Sequence, residues 1–570
     1  MSASPTITAM RFGSRTAGLA ASVGVLAAGC FARQPVRSRH AMVVTREAHA
    51  TDVGMAALES GGNAVDAAVA VAFTLAVTHP SAGNLGGGGF MLIRFADGRS
   101  TFIDFRERAP AAASHDMYID PATSKAGDDS VVGYRASGVP GTVRGMEFAR
   151  EKYGSKPWKE LVEPAIRLAR EGFPVTYSLA QTLHGNASIK LSRFAESKRI
   201  FLKDGAFYEA GDILKQPELA RTLERIRGKG ARDFYEGETA KLLAADMKDH
   251  GGTITGQDLH DYKVIERKPL EGQYKDFGII TAPPPSSGGV GILQMMGVLE
   301  ETGYAKEGAG SAYALHFEAE AMRRYFADRA AHLGDADFVK VPVKALLDPR
   351  YIAKLRESID PAHVTPSDQI HAGELSAYES AETTHFSIVD EHGNAVAVTY
   401  TLNGSFGCGV TATGLGFLLN NEMDDFAPKP GEPNAYGLVQ GEANSIAPRK
   451  TPLSSMSPTI VTRGAKLYMV VGTPGGPTII NTVLETILNV LDFHMNMQEA
   501  VDQPRIHHQW MPDTLTVEET VSPDTLELLR RRGHQLRVVP SIGEVAAIRV
   551  EGQWIEGAPD GRTDGTARGY

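Results

Sequence analysis

Thr383 and Thr384 open the alternating run TTHFSIVD, and His385 follows at once. A hydroxyl beside an imidazole suggests a nucleophile next to its base. Strand geometry weakens that pairing: on an extended chain Thr383 and His385 share a face about 6–7 Å apart along the strand. That spacing is awkward for a direct hydrogen bond, so His385 is expected to be a packed structural histidine. A hydroxyl with no base is inert near neutrality. A threonine can instead use its own α-amine, whose pKa is about 7.7–8.0, as the base. That solution requires Thr383 to become a chain terminus, and so requires scission of the Glu382–Thr383 bond.

The segment TTHFSIVDEHGNAVAVTYTLN reads as the hairpin that would position this hydroxyl. Two alternating runs flank Glu391-His392-Gly393, and Gly393 suits the positive φ of a three-residue loop with a glycine bulge. In that register Asp390 faces Asn394, Thr383 faces Thr401, and Asn403 follows two residues on, on the same face. A two- or four-residue loop would instead set Thr383 opposite Tyr400 or Leu402. Taken alone, a cross-strand threonine pair is an ordinary sheet contact contributing about 0.2–1 kcal/mol. Thr384 falls on the opposite strand face.

Other chemistry has weaker support. HExxH, GxSxG, GxGxxG, CxxC and a Walker A loop are absent from the sequence. The glycines at 86–89 are followed by neither a lysine nor a clear helix start, which favours close backbone packing over a phosphate cradle. His507 and His508 are adjacent, and adjacent side chains on an extended chain point apart, which argues against a metal pair.

The 570 residues suffice for several domains or one large intertwined one; 42% hydrophobic and 22% charged content are those of a globular protein. A net charge of −10 argues against nucleic-acid binding. Arg11 and Arg15 precede AGLAASVGVLAAGC (17–30), a basic flank with a short apolar run, expected to be a secretory signal over residues 1–30. The protein is therefore expected to be exported to the periplasm, with Cys30 a candidate lipid anchor. Cys408, the other cysteine, is expected to be a small residue near a turn. NAVDAAVAVAFTLAVTHP (63–80) is rich in alanine and contains Asp66, as in a buried core helix. Residues 140–380 are mostly helical in pattern, and from 383 short alternating strands suggest the second half of a sheet.

The stretches DFRERAP, PPPSSGG, TTHFSIVDEHGNAVAVTYTLN, NNEMDDF, PLSSMSPTIV, GTPGGP and PRIHHQW together resemble the γ-glutamyltransferase (glutathione hydrolase) family of N-terminal-nucleophile hydrolases, from about residue 40 to the end. The resemblance implies an α+β fold, a four-layer αββα sandwich assembled from two subunits cut from one precursor. Residues 31–382 would be the large subunit and 383–570 the small one, held as a heterodimer. Thr383 would be the nucleophile of both self-cleavage and catalysis, with Thr401 hydrogen-bonded to it.

The same resemblance assigns the substrate contacts. Arg106 would hold the donor's α-carboxylate, and its guanidinium offers the bidentate fork for that task. Without the family it would be a surface ion pair with Glu107 or Asp104. Ser454 and Ser455 would also bond the carboxylate. Glu422 and Asp425, helped by Asn403, would hold the α-ammonium; otherwise NNEMDDF is a solvated acidic loop. Gly475 and Gly476 precede Pro477 and a helix expected to run to about Phe493, and amides at a helix start favour an oxyanion. KPGEPNAYGLVQG (429–441) would be a lid, with Tyr436 covering the pocket.

The implied reaction is attack of Thr383 on the γ-amide of glutathione, followed by transfer of the γ-glutamyl group to water or to an amino acid or dipeptide acceptor, with neither cofactor nor metal. A cephalosporin or glutaryl acylase of the same fold, or an uncut homologue that only binds γ-glutamyl compounds, are the alternatives.

Overall fold

The computed structural model describes residues 33–123, 127–371, 383–427 and 441–570. Among them, two seven-stranded antiparallel sheets dominate residues 34–570. The strands, in chain order, are β1 (Val36–Ser38), β2 (Met42–Thr45), β3 (Gly88–Arg94), β4 (Ser100–Asp104), β5 (Ile265–Arg267), β6 (Leu270–Tyr274) and β7 (Phe277–Thr281). They continue with β8 (Thr384–Val389), β9 (Ala395–Thr401), β10 (Thr459–Arg463), β11 (Lys466–Gly472), β12 (Ala546–Glu551), β13 (Trp554–Pro559) and β14 (Thr566–Gly569). One sheet has the order β1-β13-β12-β11-β10-β7-β6 and the other β14-β2-β8-β9-β3-β4-β5.

Alternation along β8 and β9 explains how the layers form. Phe386, Ile388, Val396 and Val398 join one apolar core with helices α1 (Ala48–Glu59) and α2 (Ala64–Thr78). Val389, Ala395 and Ala397 point the other way, into a second core. That core also holds Ile460 and Val470 of the opposing sheet and, with Met469 and Val471 on that sheet's far face, helices α3 (Gly288–Leu299), α4 (Ala312–His332) and α5 (Thr478–Leu491). Helix, sheet, sheet and helix follow one another, the αββα sandwich expected. Each fully buried large side chain in these layers contributes about 1.5–3 kcal/mol.

The expectation that half a sheet begins near Thr383 needs correction. Strands from both sides of residue 383 are interleaved in both sheets: β8, β9 and β14 lie among β2, β3, β4 and β5, and β10–β13 lie among β1, β6 and β7. Likewise the mostly helical stretch 140–380 contains β5, β6 and β7. Those strands complete sheets whose other strands are distant in sequence, so local pattern did not mark them.

The hairpin has the three-residue loop. Thr384 pairs with Tyr400 and Val389 with Ala395, Gly393 has φ +85°, and Gly393 N–H donates to Asp390 O at 3.0 Å. Asp390 fixes the turn, its carboxylate accepting from the amides of His392 and Asn394 and from the Ala64 amide at the start of α2. Helix α2 is buried on every side, as its sequence predicts, and is capped by Asn63 with Asp66 in a capping box. The 86–89 glycines serve close packing: a Cβ at Gly87 would lie 2.0 Å from Thr401 O, and one at Gly89 2.4 Å from Thr399 O. No helix among the described residues is long and apolar enough to cross a membrane.

Candidate active site

Carrying the β8–β9 register one residue beyond Thr384–Tyr400 puts Thr383 opposite Thr401, at the end of the sandwich where both threonines face the second sheet. Thr383 is 4% exposed. Thr401 Oγ1 accepts the Asn403 amide at 2.8 Å. Asn403 itself sits at φ +72°, a left-handed conformation that asparagine tolerates better than most residues. Its Nδ2 donates to Asn421 O at 2.9 Å, and Asn421 Oδ1 accepts from Gly404 N at 2.9 Å.

Asn420 and Asn421 therefore do the positioning that NNEMDDF needs. Asn420 Oδ1 accepts from the amides of Glu422 and Gly138, and its Nδ2 donates to Gly86 O and Gly138 O. The short turn Glu422–Asp425 that follows is wholly buried, not the solvated loop its composition suggests.

Arg106 is buried as well, and its side chain pairs with neither Glu107 nor Asp104. Its guanidinium makes ion pairs with Glu422 and Asp425 and donates to Leu453 O at 3.1 Å. Asp104 instead accepts the Arg106 backbone amide and binds Arg267. Ser454 and Ser455 arrive through an irregular contact with the PPPSSGG loop: Ser454 N donates to Pro285 O at 2.9 Å, and Ser287 N donates to Ser454 O at 2.6 Å. Arg329, on α4, donates to Ser287 Oγ at 2.9 Å and reaches Ser455 Oγ at 3.5 Å.

One small polar cavity is lined by Thr383, Thr401, Asn403, Arg106, Glu422, Asp425, Ser454, Ser455 and Gly476. Met456 and Ile479, which sequence reasoning missed, complete its wall. Gly475 faces a second cavity, of about 320 Å³, which shares Thr383. Both glycines have positive φ, +131° and +57°, ahead of Pro477 and α5. Among the described residues neither glycine amide donates a hydrogen bond to the backbone. Glu382 and Tyr436 lie outside the described residues, as does Cys30.

Asp424 and Asp425 diverge. Asp425 lines the cavity, whereas Asp424 accepts from Ser130 Oγ at 2.8 Å, and burial pushes its carboxyl up to about 7. Glu107 was also missed; only its place beside Arg106 could have drawn attention. It is fully buried, and burial raises its carboxyl to about 7 against the pull of Arg106. Burial likewise pushes Glu422 well up, and its carboxylate neighbours Glu107 and Asp425 add to the shift. One guanidinium thus faces three carboxyls in a dry site.

His385 does not serve Thr383. Its Nδ1 lies 2.8 Å from Thr399 Oγ1 and its Nε2 3.1 Å from Ser387 Oγ, and burial lowers the imidazole to about 3. Its ring also lies where a side chain at Gly472 would be, so it packs between the sheets. His507 and His508 have separate partners, Asn481 and Asp513. Cys408 is buried, with Sγ 3.7 Å from Ser137 Oγ.

A threonine at the head of an inner strand of an αββα sandwich, opposite a second threonine and sharing its cavities with two glycines at a helix start, is the arrangement of an N-terminal-nucleophile hydrolase. The chain belongs to the γ-glutamyltranspeptidase family, whose model, described as gamma-glutamyltranspeptidase, matches residues 50–570. It is 49% identical over 539 residues to the glutathione hydrolase proenzyme of Escherichia coli (strain K12), covering 94% of this chain and 93% of that one. It is 50% identical over 529 residues to the glutathione hydrolase proenzyme of Pseudomonas sp. (strain A14), covering 93% and 92%. Among solved structures, the cephalosporin acylase from Bacillus halodurans is similar with a TM-score of 0.84 at 25% identity, covering 94% of this chain and 97% of that one.

Proposed function

We propose that this protein is a self-cleaving γ-glutamyltransferase and glutathione hydrolase whose nucleophile is Thr383. The observation that carries the reading is the shared cavity: Arg106, Glu422 and Asp425 line the same wall as Thr383. A γ-glutamyl donor presents an α-carboxylate and an α-ammonium at one end and an amide at the other. A guanidinium next to two acids matches the first end, and a hydroxyl matches the second.

In the precursor, Thr383 Oγ attacks the carbonyl of Glu382, and hydrolysis of the resulting ester frees the Thr383 α-amine. With residues 1–30 removed on export, the products are residues 31–382 and 383–570, which stay together because each sheet contains strands from both. In turnover, that amine takes the hydroxyl proton as Oγ attacks the γ-carbonyl of glutathione. Thr401, whose Oγ1 is held by the Asn403 amide, donates to Thr383 Oγ and fixes its direction. The Gly475 and Gly476 amides stabilise the oxyanion. Cysteinylglycine leaves, and water or the amine of an amino acid or dipeptide resolves the γ-glutamyl-enzyme.

Arg106, Ser454 and Ser455 bind the donor's carboxylate, and Glu422, Asp425 and Asn403 its ammonium. The basic flank and apolar run before Cys30 support export to the periplasm, with Cys30 as the site of lipid attachment.

The likeness to a cephalosporin acylase gives a second reading within the same fold. A glutaryl group has no α-ammonium and leaves Glu422 and Asp425 without a task. Turnover of γ-glutamyl and glutaryl anilides by the purified, cleaved protein separates the two. The proposal expects strong preference for γ-glutamyl, and a preference for glutaryl contradicts it.

A further inference from the structure

The cavity on the other side of Thr383 carries its own arginine–acid pair. Its walls include Arg46, Glu544, Ser405 and Gly475, and its volume of about 320 Å³ is at the low end for small-molecule pockets. Arg46 Nη1 lies 2.6 Å from Glu544 Oε2, and the two side chains remain 16% and 22% exposed, unlike the nearly sealed Arg106–Glu422 pair.

Sheet topology brings Arg46, Gly475 and Glu544 to one end of the sandwich, beside Thr383. Arg46 follows β2, which runs antiparallel beside β8 and so ends near the start of β8, where Thr383 stands. Gly472, the last residue of β11, pairs with Ala546, the first of β12. The chain after β11 and the chain before β12 therefore diverge from one point, bringing Gly475 and Glu544 to the same rim. The Glu544 amide donates to Thr473 Oγ1 at 2.7 Å, which ties that rim together.

We propose that Arg46 is a specificity-determining residue for the acceptor, binding the C-terminal carboxylate of an incoming amino acid or dipeptide, with Glu544 as the positioning residue that aims the guanidinium. This rests on the γ-glutamyltransferase reading above. The scissile carbonyl must sit at Thr383 Oγ. With the γ-glutamyl half in the Arg106 cavity, the other substituent of that carbonyl extends into the Arg46 cavity. The leaving amine and the incoming amine use the same position, since one step is the reverse of the other. Cysteinylglycine and an acceptor dipeptide each carry a carboxylate beyond that amine, and Arg46 is the cationic wall residue that meets it.

In the transfer step the neutral acceptor amine attacks the γ-glutamyl ester. A C–N bond forms, the bond from the carbonyl carbon to Thr383 Oγ breaks, and the amine's proton passes to Thr383 Oγ by way of the Thr383 α-amine.

The test measures partition of the intermediate between transfer and hydrolysis. Because both products come from one intermediate, their ratio does not depend on the amount of active enzyme. γ-Glutamyl-p-nitroanilide is the donor, and glycylglycine and glycylglycinamide are compared as acceptors. The wild type is expected to favour the free carboxylate by more than tenfold in the transfer-to-hydrolysis ratio at equal acceptor concentration. Arg46→Met is expected to reduce that discrimination to under threefold, and Arg46→Lys to leave an intermediate value. If Arg46→Met fails to fold or cleave, the graded loss in Arg46→Lys and in Glu544→Gln carries the test. Full discrimination in the Arg46 variants, or none in the wild type, overturns the proposal. Failure of the underlying reading is distinct: the wild type would then release no p-nitroaniline even without acceptor.

Discussion

The Arg106 guanidinium is ion-paired to the Glu422 carboxylate, with both side chains only 1% exposed. The cation assigned to the donor's carboxylate and an anion assigned to its ammonium thus hold each other. A zwitterionic donor replaces this contact with two matched ones, so the free enzyme keeps no isolated charge in a dry pocket. Arg106→Met leaves Glu422 and Asp425 without their cation. It is expected to lower stability by about 3–5 kcal/mol and kcat/KM by roughly 10²-fold or more. Arg106→Lys restores charge without the fork and is expected to recover stability better than activity. Thermal melts and donor kinetics on the two variants check this split.

Donor affinity is expected to depend on pH through the same carboxyls. Burial raises Glu107 to about 7, and Glu422 and Asp425 move in the same direction. In the free enzyme the cluster keeps a proton that the ligand's ammonium drives off. Ligand binding therefore releases a proton, and affinity rises with pH up to about 7, by about one decade per pH unit for one proton. Calorimetry of a non-hydrolysable γ-glutamyl analogue, in buffers of different ionisation enthalpy, reads that proton directly. Affinity that falls over this range would contradict the account.

Asp425→Asn is expected to raise the donor KM at least tenfold, because Asp425 lines the cavity. Asp424→Asn is expected to act mainly on stability, through its contact with Ser130, with donor KM moving only a few-fold. Steady-state kinetics on both variants distinguish the neighbours, and equal KM effects would contradict the assignment.

Gly475→Ala tests the oxyanion role. At φ +131° an alanine is strained, and its Cβ would lie 2.3 Å from Thr478 Oγ1. The displaced amide is expected to lower kcat by about 10²–10³-fold, with a smaller change in donor KM. An effect confined to KM would place the oxyanion elsewhere.

What the sequence made legible was local. The Gly393 turn fixed the hairpin register and, through it, the facing of Thr383 and Thr401. Strand spacing separated His385 from Thr383, and the structure gives that histidine to Thr399 and Ser387. Pro477 marked the start of α5, which ends at Leu491, two residues short of the expected Phe493. Convergence was not legible from pattern. Arg106, Glu422 and Ser454 are brought together by β4, the Asn420–Asn421 anchor and the PPPSSGG loop, and only resemblance linked them. Burial was equally hidden: DFRERAP and NNEMDDF are polar strings that read as surface, yet their charges neutralise each other inside. Glu107 was visible only as a neighbour of Arg106, and the Arg46–Glu544 pair carried no sequence signal, because its significance lies in which cavity it faces.

The central claim is that cutting the Glu382–Thr383 bond makes Thr383 the nucleophile, and N-terminal sequencing of the chains in active protein tests it most directly. Scaling 61.1 kDa over 570 residues, the account predicts chains of about 38 kDa (31–382) and about 20 kDa (383–570). The smaller chain should begin at Thr383, and Thr383→Ala should give neither cleavage nor turnover. Full activity in an uncut chain, or a small chain beginning at another residue, would contradict it.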